Sequence, residues 1–123
     1  MLRGVRGATT AQENSREAVL AATRELLKQM AQLNQWEVDD IGAIIFSSSP
    51  DLDAAFPAAA ARSLGWAEVP VFGTQEIDCP SGLPLCIRVL VLWNTELSPK
   101  EIKHLYQYGA KVLRPDLSDD VNP

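Results

Sequence analysis

Arg88 stands in Cys86-Ile87-Arg88-Val89-Leu90-Val91-Leu92-Trp93, a run otherwise apolar and rich in β-branched and aromatic residues. Pro84 precedes it and Asn94-Thr95 follows, which is how a strand buried on both faces reads. A guanidinium keeps its charge at any accessible pH, so in such a strand it needs an anionic partner or a water-filled opening. One reading is an ion pair with a carboxylate of the chain itself, or a strand-end arginine reaching solvent. The other is a site for an anionic ligand. Arg6, Arg62 and Arg114 also lie among apolar or small residues, Glu76 ends an extended stretch, and tyrosines are available. Guanidinium forks match carboxylates bidentately. The set suits a small polyanionic organic ligand held by directional hydrogen bonds, and chemistry that needs only orientation and a fixed electrostatic field.

Other chemistries fail on inventory. A nucleophilic triad needs a Ser, Thr or Cys beside an oriented base, but His104 is the sole imidazole and Ser47 to Ser49 read as a strand end. No phosphate-cradling GxxxxGK[ST] or GxGxxG loop is present. Cys79, Cys86 and His104 make neither a zinc site nor a disulfide framework, so no metal is expected. Eleven basic against sixteen acidic residues give a formal charge of −5 with no Lys/Arg run, which argues against a nucleic-acid partner. An acidic chain that holds an anion must do so with local, organised positive charge. Neither a signal sequence nor a bilayer-spanning apolar run is evident, so a reduced, cytoplasmic protein without membrane contact is expected. The 123 residues, 46% hydrophobic, are enough for one domain with a real core.

The elements that must position these residues follow from spacing. Met1–Thr10 reads as a strand on which Arg3 and Arg6, three apart, point to opposite faces, so only one can enter a common pocket. Asn14 and Glu17 form a capping-box pattern, and Val19, Ala22, Leu26, Met30 and Leu33 trace a helix that ends near Asn34. Ala43–Phe46 is a second strand, running out through Ser49. Pro57 suits the first position of a short helix, Ala58–Leu64, closed by Gly65. Arg62 lies late on it, beside alanines too small to shield it. It either reaches an adjoining cleft or is an ordinary exposed arginine at a favourable helix end. Val69–Glu76 is extended, with Pro70 marking an edge or a start, and Gly73 would let a ligand approach the backbone. Cys79–Pro84 is a rigid loop, and Glu76 and Leu85 are close enough for an antiparallel return. Ser98-Pro99-Lys100-Glu101 is a second capping box. Lys111–Arg114 reads as a last extended piece, and the polar residues after Pro115 as a fraying tail. The sum is an α+β fold, a mixed sheet packed with one long and one or two short helices.

In order and at matching spacing, Arg3-Gly4-Val5-Arg6-Gly7-Ala8-Thr9-Thr10, Pro50-Asp51-Leu52, Phe56-Pro57-Ala58, Pro70-Val71, Gln75-Glu76, Cys86-Ile87-Arg88-Val89, His104-Leu105-Tyr106 and Leu113-Arg114-Pro115-Asp116-Leu117 resemble the trimeric chorismate mutases of pseudo-α/β-barrel architecture. The resemblance spans residues 3–117 and implies one domain over residues 1–117, with 118–123 as a tail. It implies conversion of chorismate to prephenate by an intramolecular [3,3] rearrangement, without cofactor or covalent intermediate, in a homotrimer with sites between subunits. Carried over by position, Arg88 would meet the ether oxygen and Glu76 the ring hydroxyl. Arg6 and Tyr106 would hold the enolpyruvyl carboxylate, and Phe56 would pack on the substrate. Arg62, Leu113 and Arg114 would lie at the mouth, backbone groups of Phe72, Gly73 and Thr74 would complete the wall, and the segment after Pro115 would partly cover the site. Ala59, where relatives carry lysine, and the Phe72-Gly73 pair depart from the family pattern. The alternative is a trimeric small-anion-binding or regulatory module that keeps the fold without catalysis.

Overall fold

A computed structural model describes residues 1–115. The expected tail at 118–123, and the cover expected from the segment after Pro115, lie outside the described residues. Among the described residues, five strands and two α-helices follow in the order β1 (Leu2–Thr10), α1 (Arg16–Asn34), β2 (Ile41–Ser48), α2 (Ala58–Ser63), β3 (Val71–Gln75), β4 (Cys86–Asn94) and β5 (Leu105–Tyr106). Short 3-10 turns occupy Val38–Asp40, Pro99–Glu101 and Tyr108–Leu113. The sheet order is β3-β2-β4-β1-β5. The β4 strand lies at the centre, antiparallel to both β1 and β2, while β3 runs parallel to β2 and β5 parallel to β1. The mixed α+β architecture expected from the sequence is therefore present. The return from Glu76 to Leu85 is not a hairpin, however: β2 is inserted between β3 and β4.

The α1 helix covers one face of the sheet. Val19, Leu26, Leu27 and Met30 are buried with Val5, Ile44, Phe46, Ile87, Val89 and Val91 in a continuous core. Gly7 permits the close approach, since a Cβ there would lie 2.3 Å from the Met30 sulfur and 3.1 Å from Val89 Cγ1. Trp36, Trp66 and Trp93 close one end with edge-on ring contacts at 6.3 and 6.0 Å. The N-cap of α1 is Ser15, whose hydroxyl accepts from the Ala18 N–H. Asn14, the expected cap, is committed elsewhere: it accepts from the Asp53 and Ala54 N–H groups and donates to Asp53 Oδ1 at 2.7 Å. The capping box at Ser98 and Glu101 is present as expected.

Two further expectations are corrected. The β4 strand is not buried on both faces within the chain. Ile87, Val89, Val91 and Trp93 are buried against α1, whereas Leu90 and Leu92 are half-buried and Arg88 is exposed on the opposite face. Lys111–Arg114 is not extended either; Tyr108–Leu113 forms a 3-10 turn, and the last described strand is the two-residue β5. That turn packs a small cluster of Tyr106, Ala110 and Leu113 onto Ala8 on the second face. The rest of this face, with Ala43, Ile45, Leu90 and Leu92 side by side in register, is covered by neither α-helix.

The entry to β4 is pinned by a short polar network. Ser49 N–H donates to the Cys86 carbonyl and the Ser49 hydroxyl accepts from Cys86 N–H, both at 2.9 Å. Leu85, at φ 53°, donates its N–H to both Asp51 carboxylate oxygens at 3.1 and 3.0 Å. The Ser49 hydroxyl also donates to Asp51 Oδ1 at 2.5 Å. Because Asp51 is exposed, its loss is expected to cost about 1 kcal/mol in urea unfolding, the value of an ordinary net hydrogen bond. Asp51→Asn should cost less than Asp51→Ala. Equal stability of both variants and the parent chain would show that Asp51 does not hold β4.

Candidate active site

The open sheet face gathers the expected residues by register. Ser47 on β2 and Ala8 on β1 flank Arg88, and Ile45 and Arg6 flank Leu90 one pleat further along. Tyr106 on β5 stands opposite Ala8. A cleft of about 530 Å³ opens here, lined by Arg6, Ile45, Ser47, Glu76, Arg88, Leu90, Tyr106, Leu113 and Arg114 among others. Six of the residues expected from sequence thus converge: Arg6, Glu76, Arg88, Tyr106, Leu113 and Arg114. A second cavity of similar size, about 530 Å³, lies under the 76–86 loop and shares Glu76 and Arg88 with the first.

Both readings of Arg88 meet in one geometry. Its Nε lies 3.5 Å from Glu76 Oε1, and the two side chains are 47% and 35% exposed. At 3.5 Å the contact is a loose ion pair, longer than the short paired N–H···O bonds of a bidentate carboxylate clamp. Glu76 is held more closely by the Ser47 hydroxyl, which donates to the same Oε1 at 2.8 Å. Cys86 lies two residues from Arg88, and burial pushes its thiol pKa up, so it is a neutral neighbour at pH 7.

Arg6 and Arg3 do face opposite sides. Arg3 Nε donates to the Leu97 carbonyl at 2.9 Å, while Arg6 lines the cleft. The Arg6 N–H points towards the β5 side, where β5 pairing begins only at Gly7, and donates to His104 Nδ1 at 2.9 Å. An imidazole here replaces the backbone carbonyl that a longer strand would supply. It can accept only when Nδ1 is unprotonated. Burial first, and then the Arg6 and Arg114 guanidinium groups, hold the His104 pKa below its ordinary value.

The other expected residues do not reach the cleft. Phe56, 80% exposed, lies on the loop before α2, Arg62 is exposed on α2, and Phe72, 65% exposed, is on the edge strand β3 with Gly73 and Thr74. The Thr74 hydroxyl is occupied by the Phe46 carbonyl at 3.0 Å. A Cβ at Gly73 would meet nothing within 4 Å, so packing inside this chain does not call for glycine there. Sequence reasoning missed Ser47 and the structural use of His104. The position of Ser47 beside Arg88 requires the β2–β4 register, and the acceptor role of His104 requires the β1–β5 pairing, which residue type alone does not show.

Among the described residues, no group of three or more His, Cys, Asp or Glu side chains could hold a metal ion, and no helix is long and apolar enough to cross a membrane. What the cleft offers is fixed guanidinium charge, one anchored carboxylate and a tyrosine, the equipment of a protein that orders a small organic anion. The comparisons supply the family. The model for chorismate mutase type I matches residues 2–117, and the chain belongs to that family. It is 45% identical over 118 residues to the chorismate mutase AroH of Thermus thermophilus, covering 95% of this chain and 97% of that protein. It is 43% identical over 119 residues to the chorismate mutase AroH of Bacillus subtilis (strain 168), covering 96% and 94%. A solved chorismate mutase from Clostridium thermocellum superposes with a TM-score of 0.88 at 49% identity, over 89% of this chain and 98% of that one.

The His104 geometry fixes the sign of a pH effect. The folded state resists protonation, while the unfolded chain takes up a proton near the ordinary imidazole value of 6.5. Stability from this group is therefore complete above about pH 6.5 and falls as pH drops through and below it. Thermal midpoints should be level above neutrality and decline from pH 6.5 to 5.5. His104→Gln should flatten that decline. An unchanged slope in the variant would show that His104 does not titrate in this window.

Proposed function

We propose that this protein is a chorismate mutase that converts chorismate to prephenate by an intramolecular [3,3] rearrangement in the biosynthesis of phenylalanine and tyrosine. The observation that carries the reading is the convergence of Arg88, Glu76, Arg6 and Tyr106 on one cleft in a chain of this family. As the C–O bond breaks, negative charge grows on the ether oxygen. A fixed cation there stabilises the transition state more than the ground state, which raises kcat. The terminal nitrogens of Arg88 meet that oxygen while Nε keeps Glu76. Glu76 accepts from the ring hydroxyl. Arg6 and Tyr106 hold the enolpyruvyl carboxylate and so favour the folded conformer in which the two bond-forming carbons approach. No side chain has to give or take a proton in this scheme.

The working unit in this reading is a homotrimer of one domain, residues 1–117, in the cytoplasm, with a site at each subunit interface. Two features support it. The half-covered apolar strip of Ala43, Ile45, Leu90 and Leu92 suits a sheet face packed against another copy. The five residues that miss the cleft, Phe56, Arg62, Phe72, Gly73 and Thr74, could complete the site of a neighbouring copy. Sedimentation equilibrium should then give a trimer mass, and a fully active monomer would overturn the assembly. The non-catalytic module has no observation in its favour. It would be adopted if chorismate bound tightly without loss of its ultraviolet absorbance and without prephenate being formed.

Arg88 supplies the sharpest test of the chemistry. Losing one neutral oxyanion donor typically costs ~10²–10³ in kcat, and losing a full charge should cost at least as much. Arg88→Gln should stay folded and assembled, still bind chorismate, and lose at least roughly a hundredfold in kcat. Arg88→Lys should keep more activity, because it keeps the charge with poorer geometry. A folded Gln variant within a few-fold of the parent rate would reduce Arg88 to a structural partner of Glu76.

A further inference from the structure

The Glu76–Arg88 pair raises a problem that the family reading leaves open. A carboxylate and a guanidinium beside each other on a half-exposed face attract, and their preferred geometry is the bidentate fork. In that geometry Glu76 would take up two donors of Arg88 at short range and neutralise the charge the reaction needs. The structure holds a different arrangement. The closest contact of Glu76 is not Arg88 but the Ser47 hydroxyl, 2.8 Å against 3.5 Å, and both contacts fall on Oε1. Ser47 belongs to the last pleat of β2, directly opposite Arg88 in the β2–β4 register, so its hydroxyl is carried by a strand paired on both sides. Glu76 itself lies one residue beyond the end of β3, tied to the sheet by its N–H to the Ser48 carbonyl at 2.8 Å. The backbone of Glu76 is thus fixed to β2, and its side chain is steered by the β2 residue before Ser48.

We propose that Ser47 is a positioning residue of this site: its hydroxyl anchors Oε1 of Glu76, holds the carboxylate off the terminal nitrogens of Arg88, and leaves Oε2 to accept from the ligand's hydroxyl. The proposal rests on the reading of Arg88 and Glu76 given above. Without the Ser47 donor, the carboxylate satisfies its lost hydrogen bond by turning onto Arg88. The loss then falls on kcat, because the cation is screened where charge develops, as well as on binding.

Four variants of the full chain, each checked for fold and mass, decide the matter: Ser47→Ala, Ser47→Thr, Glu76→Gln and the Ser47→Ala/Glu76→Gln double variant. The readout is kcat and KM for chorismate. Ser47→Ala should lose about tenfold in kcat, the order expected for a hydrogen bond to a charged group. Ser47→Thr, which keeps a hydroxyl and suits a strand, should stay within about threefold of the parent. The Ser47→Ala step should have almost no effect in the Glu76→Gln background, since no charged carboxylate is left to swing; a residue that merely supports the fold would cost the same in both backgrounds. If Ser47→Ala does not fold, Ser47→Cys, with a far weaker donor, takes its place in the cycle. A Ser47→Ala enzyme within twofold of the parent overturns the proposal, and so does a loss of equal size in the Glu76→Gln background. If Glu76→Gln is itself fully active, the role given to Glu76 fails, a result distinct from the failure of Ser47 alone.

Discussion

The charge of Arg88 is the constraint from which the site follows. A guanidinium fixed at the centre of a sheet must be stabilised continuously, and an apolar surrounding cannot do it. The chain meets this demand with one loosely held carboxylate and an open cleft, not with a closed ion pair. The cation therefore stays partly unsatisfied, which is what an anion-binding site requires. A fully paired arginine would be more comfortable in the free protein and less useful to a ligand. Placing the carboxylate beside the cation, yet engaging it mainly with a serine, is how both needs coexist on a few square ångströms of sheet.

Pairing brings this about from distant parts of the chain. Arg6, Ser47, Glu76, Arg88 and Tyr106 come from five separate stretches, and none is a sequence neighbour of another. The period-two alternation of β1, β2 and β4 puts one set of side chains under α1 and the other onto the open face. The central position of β4 then sets Arg88 between Ala8 and Ser47. The same alternation directs Arg3 to the Leu97 carbonyl and Arg6 to the cleft. Shifting β4 by one residue would bury the guanidinium under α1 and turn Ile87 and Val89 outward, so hydrophobic burial on the α1 side selects the register that exposes the charge.

Much of this was legible in the sequence, and its limits have physical reasons. Helical spacing from Val19 to Leu33 marked α1, and the spacing of Arg3 and Arg6 gave their opposite faces correctly. The cap was misassigned because Asn14 and Ser15 are both good caps, and only the tertiary demand of the Asp53–Ala54 backbone takes Asn14 away. The β4 run looked buried on both faces because Leu90, Leu92 and Trp93 are all apolar, and composition does not say which face of the sheet the helices cover. The segment Lys111–Arg114 misled because Val112 and Leu113 suit a strand, whereas Tyr108 at φ 52° starts a 3-10 turn. Ser47 was invisible as a site residue, since a serine at a strand end acquires a role only through what lies beside it.

The open face also joins the apolar strip to the cleft. The apolar strip of Ala43, Ile45, Leu90 and Leu92 and the cleft share one side of the same sheet, with Leu90 and Ile45 belonging to both. Whatever covers the strip therefore borders the cleft, limits its water and raises the strength of every electrostatic contact inside it. For a chain of net charge −5, this locality matters: the overall field is mildly repulsive to an anion, and attraction must come from a few cations within reach of the ligand. Bulk salt screens the long-range repulsion more than the short contacts within a cleft. An acidic protein can thus hold a small anion, provided that its cations lie together on one face.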